Sequence, residues 1–150
     1  FMDTNTLLHK QLHEALKNND VMRKSVIRLL MSSTKLAEVT KGSELNQMEF
    51  LGIVQKEIKT RHDTIADAQK ANRPAMIESS KAEILILEEF LPKQISEQEL
   101  KSLAQAIIKE TDARSPKDMG RVMQLLILKL EGRASNQEAS RVVKELLQTN

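Results

Sequence analysis

The chain has 150 residues, with 23 lysines and arginines against 21 aspartates and glutamates, and it has no cysteine. A net charge of +2 is too small to indicate a polyanion partner by bulk electrostatics, and the lack of cysteine excludes disulfides and thiolate metal sites. Aromatic residues are 2% of the chain and all are phenylalanine, which argues against single-strand binding by base stacking.

Apolar residues at helical spacing predict four helices in the first part of the chain, over about 3–16, 21–39, 46–71 and from Pro74 onward. Gly42 is expected to supply a left-handed residue after the second helix. Asn46 followed by Glu49 predicts a capping box at the start of the third. These signals indicate that the four helices are sequential neighbours joined by short loops.

Two positions in these helices carry specific expectations. Arg61 projects onto the apolar side of the third helix, where a guanidinium must reach water or pair with a carboxylate such as Glu83 or Glu88. In the fourth helix the run from Ile84 to Leu87 is apolar nearly all round, which predicts cover on more than one side.

The segment from Ile84 to Ser96 predicts the boundary between two domains. Pro92 costs roughly 3 kcal/mol inside a helix, so the fourth helix is expected to end here. Ser96 with Glu99 predicts a capping box that starts the next helix at once. The short intervening stretch favours a stiff elbow, with domains at 1–92 and 93–150.

The second part predicts three shorter helices. Ser115, Pro116 and Asp118 are expected to open the middle one with a cap, a proline at the first helical position and a favourable acid. Gly132 is expected to close it, and Ser135 to cap the last. No stretch shows sustained alternation, so the fold class is all-α: a four-helix domain followed by a small three-helix domain.

Candidates for catalysis or metal binding are few. His9 and His13 have i, i+4 spacing, but the sequence fixes no third ligand. No phosphate-binding glycine loop or nucleophile elbow is present. We therefore expect no catalytic residue, no metal and no cofactor.

Two groups of basic residues are candidates for a phosphate-contacting surface. Lys117, Arg121 and Gln124 fall within about 60° on a helical wheel near a predicted helix start, where free amides favour anions. Gly120 beside them suggests a close approach by another backbone, and a helix–helix contact is the alternative interpretation. The second group is a basic stripe at Lys24, Arg28 and Lys35, for which a solvated face is the alternative.

Several motifs in order resemble the YqeY family of small bacterial proteins, over about residues 7–147. They are Arg23 with Val26-Ile27-Arg28, Gln55-Lys56-Glu57-Ile58-Lys59-x-Arg61, Leu91-Pro92-Lys93-Gln94, Lys117-Asp118-Met119-Gly120-Arg121-Val122-Met123 and Gly132-Arg133-Ala134. That family is similar to the tail domain of the B subunit of glutamyl/aspartyl-tRNA amidotransferase, a helical module that touches tRNA. The resemblance implies Lys117, Arg121 and Arg133 as RNA-facing positions.

The main expectation is a non-catalytic module that binds tRNA or another structured RNA through shape and phosphate contacts. The alternative is a protein-interaction adaptor or accessory, associated with an amidotransferase (a carbon–nitrogen ligase with glutamine as amido-N-donor) or with the translation machinery. Leu125 and Leu128, on the polar side of their helix, would serve such a contact. The absence of a secretory or membrane-spanning run predicts cytoplasmic localisation and no membrane partner.

Overall fold

The computed structural model describes residues 3–148, and within that range it contains seven α-helices and no β-strand. The helices are α1 (Thr4–Lys17), α2 (Val21–Lys41), α3 (Gln47–Lys70), α4 (Pro74–Glu88), α5 (Glu97–Thr111), α6 (Met119–Leu130) and α7 (Asn136–Gln148). A 3-10 turn, Pro116–Asp118, leads into α6. The predicted all-α class is confirmed.

The helices form two compact units that divide at the Leu91–Pro92 bond. The first unit holds α1–α4 and the second holds α5–α7. The predicted domain limits, 1–92 and 93–150, stay a prediction, because a division into compact units does not measure whether each part folds alone.

Local signals set several helix ends. Gly42 has φ 85° and its amide donates to the Glu38 carbonyl, so α2 ends on the expected left-handed glycine. The Asn46 side chain accepts from the Glu49 amide and the Glu49 carboxylate accepts from the Asn46 amide, which completes the predicted capping box of α3. Pro74 occupies the first turn of α4, as predicted.

The helix α4 ends earlier than predicted. The helix ends at Glu88, and the amides of the next three residues, through Leu91, donate to carbonyls three positions back, so the chain tightens before it reaches Pro92. The apolar run is covered on more than one side, as predicted: Ile84, Ile86 and Leu87 are buried, and Leu85 is 68% exposed.

The first unit has its own core, to which α1–α4 all contribute. Leu8, Ile27, Leu30, Val54 and Leu87 are fully buried in it. Phe50 and Phe90 pack edge to face, with ring centroids 6.1 Å apart. Among the described residues, Phe50 is buried and Phe90 is partly buried, and both rings contribute to packing in this unit.

Arg61 pairs with carboxylates in this first unit, as expected. Its Nε lies 2.7 Å from Glu83 Oε2 on α4, and its Nη1 lies 2.7 Å from Glu57 Oε2 one turn back on α3. The Arg61 side chain is only 12% exposed. The ion pair therefore links α3 to α4 at a largely buried position.

The second unit packs α5, α6 and α7 against one another around a separate core. Ile107, Val122, Leu126 and Val142 are fully buried there. The Ser96 hydroxyl accepts from the Glu99 amide at 3.1 Å and so caps α5. The Ser135 hydroxyl likewise accepts from the Glu138 amide and starts α7.

Candidate functional site

The segment before α6 is held by one carboxylate. Asp118 Oδ2 accepts from the Arg114 amide at 2.9 Å and from the Ser115 amide at 3.3 Å. These backbone hydrogen bonds lower the pKa of Asp118 below its ordinary value of 3.8. The first turn is 3-10 rather than α, with Pro116 at its first position. Lys117 therefore sits in this turn, just before α6 begins.

One face of α6 is open to solvent, and it carries both basic and apolar side chains. Its first member lies in the 3-10 turn and the others follow at helical spacing on α6, so they line up along one side. They are Lys117, Arg121, Gln124, Leu125 and Leu128. We call this set the α6 face. Leu128 is 72% exposed and Leu125 is 39% exposed, whereas Val122 and Leu126 on the opposite side are fully buried.

The polar members of the α6 face are lightly engaged. Within residues 3–148, neither Lys117 nor Gln124 has a hydrogen-bond or ion-pair partner. Arg121 makes one 3.3 Å contact with Asp118 Oδ1, and its side chain remains 54% exposed. An exposed pair of this kind is weak, at roughly 0.2–1 kcal/mol. The guanidinium can therefore exchange this carboxylate for another anion.

Gly120 lies among these residues and faces open space. A Cβ built on it would meet nothing within 4 Å among the described residues. The suggestion that another backbone approaches this glycine was wrong within the described chain. Gly120 costs the helix up to about 1 kcal/mol relative to alanine, and no contact within the described chain requires it.

Arg133 does not join Lys117 and Arg121. Its Nε donates to the Leu130 carbonyl and its Nη2 to the Lys129 carbonyl, each at 2.9 Å. The guanidinium therefore satisfies carbonyls at the C-terminal end of α6 and offsets the helix dipole there. Leu130 is nine residues beyond Arg121, about 14 Å along a helix. The structure brings together Lys117, Arg121 and Gln124, and leaves Arg133 at the other end.

The loop that contains Arg133 is bound to the segment that follows Pro92. Gln94 Nε2 donates to the Gly132 carbonyl at 3.1 Å and to the Pro92 carbonyl at 2.8 Å. The Ile95 amide donates to the Arg133 carbonyl at 3.0 Å. Gly132 has φ 80°, so it closes α6 as predicted. The Leu91-Pro92-Lys93-Gln94 motif and the Gly132-Arg133-Ala134 motif are thus joined by a hydrogen bond, which holds the loop after α6.

The second predicted basic group lies along α2. Lys24, Arg28 and Lys35 share one side of the helix, with Arg28 and Lys35 exposed and Lys24 half-buried. None of the three has an ion-pair partner within the described chain. They belong to the first unit, whereas the α6 face belongs to the second.

Sequence reasoning missed a polar pocket around Arg23. The cavity volume is about 290 Å³, and its lining residues are Gln11, Glu14, Ala15, Asn18, Asp20, Arg23 and Glu89. Arg23 Nη2 lies 2.8 Å from Glu89 Oε2 and Nε lies 3.3 Å from Asp20 Oδ2. The hydrogen bond to Glu89 raises the pKa of Arg23. Glu89 is too distant in sequence for periodicity to reveal this pair.

Within residues 3–148, no group of three or more histidine and acidic side chains is placed to hold a metal ion. His9 and His13 are exposed on α1. Among the described helices, none has the length and apolar character needed to cross a bilayer.

These features define a class of protein: an all-α chain in two helical units, with short basic or apolar surfaces. Residues 5–147 match the family of Yqey-like proteins, which is essentially the whole chain. The protein belongs to that family, and the resemblance predicted from its motifs is confirmed.

Curated relatives come from yeasts. The chain is 32% identical over 92 residues to "Altered inheritance of mitochondria protein 41, mitochondrial" of Lachancea thermotolerans. The match covers 61% of this chain and 49% of the relative. It is 31% identical over 91 residues to the protein of the same name in Kluyveromyces lactis. That match covers 60% of this chain and 49% of the relative. An uncharacterised Schizosaccharomyces pombe protein is 24% identical over 90 residues. That match covers 60% of this chain and 73% of the relative.

The match therefore spans about half the length of the first two relatives. Their names place them in mitochondria, and they are yeast proteins rather than bacterial ones. The predictions of a bacterial source and of cytoplasmic localisation stay predictions for this chain.

Proposed function

We propose that this protein is a non-catalytic module that binds structured RNA, with tRNA as the expected ligand, through the α6 face. The observation that carries the proposal is the alignment of Lys117, Arg121 and Gln124 on one open helix face, next to a glycine with free space above it. The resemblance to the tRNA-contacting tail of the amidotransferase B subunit supports the choice of RNA.

The chemistry required is modest. Lysine and arginine at the start of a helix bind phosphate oxygens, and the Gln124 amide can donate to a phosphate or to a ribose 2′-hydroxyl. Duplex RNA is recognised largely by shape and by backbone contacts, so exposed aromatic rings are not needed. Two cations define a small contact, and affinity is expected to fall with salt at a log–log slope of roughly −2.

Arg133 has a different part in this proposal. Its guanidinium holds the last carbonyls of α6, so it is a positioning residue for the helix rather than a phosphate ligand. We expect Arg133→Ala to lower the thermal stability of the second unit, and to weaken RNA binding only as far as α6 is disturbed.

The test is tRNA retention on a filter over a salt series. The double variant Lys117→Glu/Arg121→Glu should lose retention at low salt. The matched control, Lys101→Glu/Lys144→Glu, makes the same change in net charge at exposed positions on α5 and α7 and should retain tRNA. Equal loss of tRNA retention in both variants would show that binding depends only on the net charge of the protein. No retention by the wild-type protein at low salt would remove the proposal.

A second candidate function rests on the apolar end of the same face. Leu128 at 72% exposed and Leu125 at 39% exposed are unusual beside a cationic helix start, and they favour a protein-interaction adaptor. The partner class implied by the resemblance is a component of translation or of an amidotransferase. Leu128→Ser should abolish capture of such a component and leave tRNA retention unchanged, whereas Arg121→Glu should do the reverse if RNA is the ligand.

A further inference from the structure

The outer face of α2 carries a seam with heptad spacing. Through its inner face α2 packs against α1, α3 and α4, with Val26, Ile27 and Leu30 buried. On the outside, a set of side chains recurs at alternating intervals of three and four residues, which is the spacing of a helix that packs along another helix. The set is Met22, Ser25, Leu29, Ser32, Leu36 and Val39.

Most of this seam is open. Leu36 is 70% exposed, Val39 is 69% exposed and Leu29 is 36% exposed. Met22 is partly packed on the core of the first unit, so the free part runs from Ser25 to Val39, about 21 Å along the helix. Aliphatic side chains aligned over this length, and exposed among residues 3–91 of the first unit, are typical of an interaction surface.

Small residues alternate with the large ones along the seam. Ser25 and Ser32 precede Leu29 and Leu36 by one helical turn each. A small side chain between two leucines leaves a hollow that an apolar side chain from a neighbouring helix can fill. The surface is therefore shaped to accept a row of apolar side chains rather than a flat apolar layer.

The charge beside the seam is of one sign. Arg28 and Lys35 lie one heptad apart, each directly before a seam leucine, at the flanking position where coiled coils place their interhelical ion pairs. Neither has a partner within residues 3–148. The acidic side chain nearest in the helix, Glu38, lies on another side and accepts a hydrogen bond from Asn5 of α1. The charges that α2 itself places beside the seam are therefore cationic.

We propose that the outer face of α2 docks one helix of a partner protein in coiled-coil geometry. The partner helix has apolar residues at heptad spacing that face the seam, and aspartate or glutamate on the flank that meets Arg28 and Lys35. This surface is independent of the RNA contact proposed for α6, since it lies on the first unit and uses other residues.

Two other ligands fit the seam less well. Phosphate groups would engage Arg28 and Lys35 but would leave the exposed leucines and Val39 without a role. A lipid surface suits helices with large apolar side chains on the buried face, whereas α2 has no tryptophan or phenylalanine and places serine at two seam positions. Spacing, small residues and one-sided charge together favour a helix.

The test uses two designed helical peptides and the full chain. Both carry leucine at heptad spacing; one has glutamate at the flanking positions and the other lysine, so like charges keep each peptide from pairing with itself. Fluorescence anisotropy measures the Kd. The wild-type protein should bind the glutamate peptide at least tenfold more tightly than the lysine peptide, and Arg28→Glu/Lys35→Glu should reverse this preference.

Two further variants make the experiment decisive. Leu29→Ser/Leu36→Ser should abolish binding of both peptides while its circular dichroism spectrum matches the wild type. Lys101→Glu/Lys144→Glu in the second unit should keep the wild-type preference. Equal binding of both peptides, or binding that survives the serine substitutions, would overturn the proposal. Duplex RNA or phosphatidylserine vesicles that bind through Arg28 and Lys35, without either peptide binding, would also overturn it.

Discussion

The sharpest stability prediction concerns the buried ion pair of Arg61. Its guanidinium joins Glu57 Oε2 and Glu83 Oε2, each at 2.7 Å, and also donates to the Glu57 carbonyl at 3.1 Å. Arg61→Ala would leave two carboxylates facing each other where their side chains are only 19% and 29% exposed. Uncompensated buried charge is far more costly than the loss of a surface pair.

The expected cost follows from this burial. Breaking a fully buried pair costs about 3–5 kcal/mol, and the remaining exposure of both carboxylates reduces this to about 2–4 kcal/mol through solvent screening. The matched control is Lys59→Ala on the same helix. Lys59 pairs with Asp63 at 3.3 Å, with side chains 55% and 67% exposed, so its loss should cost at most about 0.5 kcal/mol.

Urea unfolding followed by circular dichroism at 222 nm measures both values. Arg61→Ala/Glu83→Gln should recover part of the loss, since the second change removes one of the stranded charges. If Arg61→Ala and Lys59→Ala cost the same within 0.5 kcal/mol, about the limit for additivity, burial does not set the strength of this ion pair and the reasoning fails.

Three smaller predictions concern substitutions at individual positions. Thr34 is 1% exposed and its hydroxyl has no hydrogen-bond partner within the described chain. Thr34→Val should therefore raise the free energy of unfolding by about 1 kcal/mol. A lower free energy of unfolding in this variant would contradict the prediction. Gly52→Ala and Gly120→Ala, both in open helical positions, should each stabilise by up to about 1 kcal/mol, but only Gly120→Ala should weaken tRNA retention. The pKa of Asp118 is lowered on folding, so its charge stabilises the native state above pH 3.8 and this contribution is lost as the pH falls through the folded value. Asp118→Asn should therefore destabilise at pH 7, and in urea titrations its difference from the wild type should shrink below pH 3.8.

Short-range signals predicted the helices well because their causes are local. Gly42 and the Asn46 capping box act within four residues, and the structure has both where the pattern placed them. The environment of Arg61 was also predictable, since helical periodicity put a guanidinium on an apolar side. The sequence did not predict that Arg61 pairs with Glu83 rather than with Glu88, because this depends on how α3 and α4 are aligned in the folded chain.

The role of Arg133 was harder to predict because it depends on backbone conformation at the end of α6. Glu131 and Gly132 both have positive φ, 49° and 80°. These two residues end α6, and the Arg133 side chain that follows donates to the carbonyls of Lys129 and Leu130. A basic residue in a motif looks the same in sequence whether it binds phosphate or caps a helix. Only the described hydrogen bonds separate Arg133 from Arg121.

We expect the two candidate functions of the α6 face to exclude each other in space. Lys117 in the 3-10 turn and Leu128 on α6 lie eleven residues apart, about 16 Å by the helical rise, and Arg121 lies between them. A duplex bound at Lys117 and Arg121 would overlie the position that a partner protein needs at Leu128. We therefore expect tRNA and a partner bound through Leu128 to compete, and a ternary complex formed through this face would contradict both assignments.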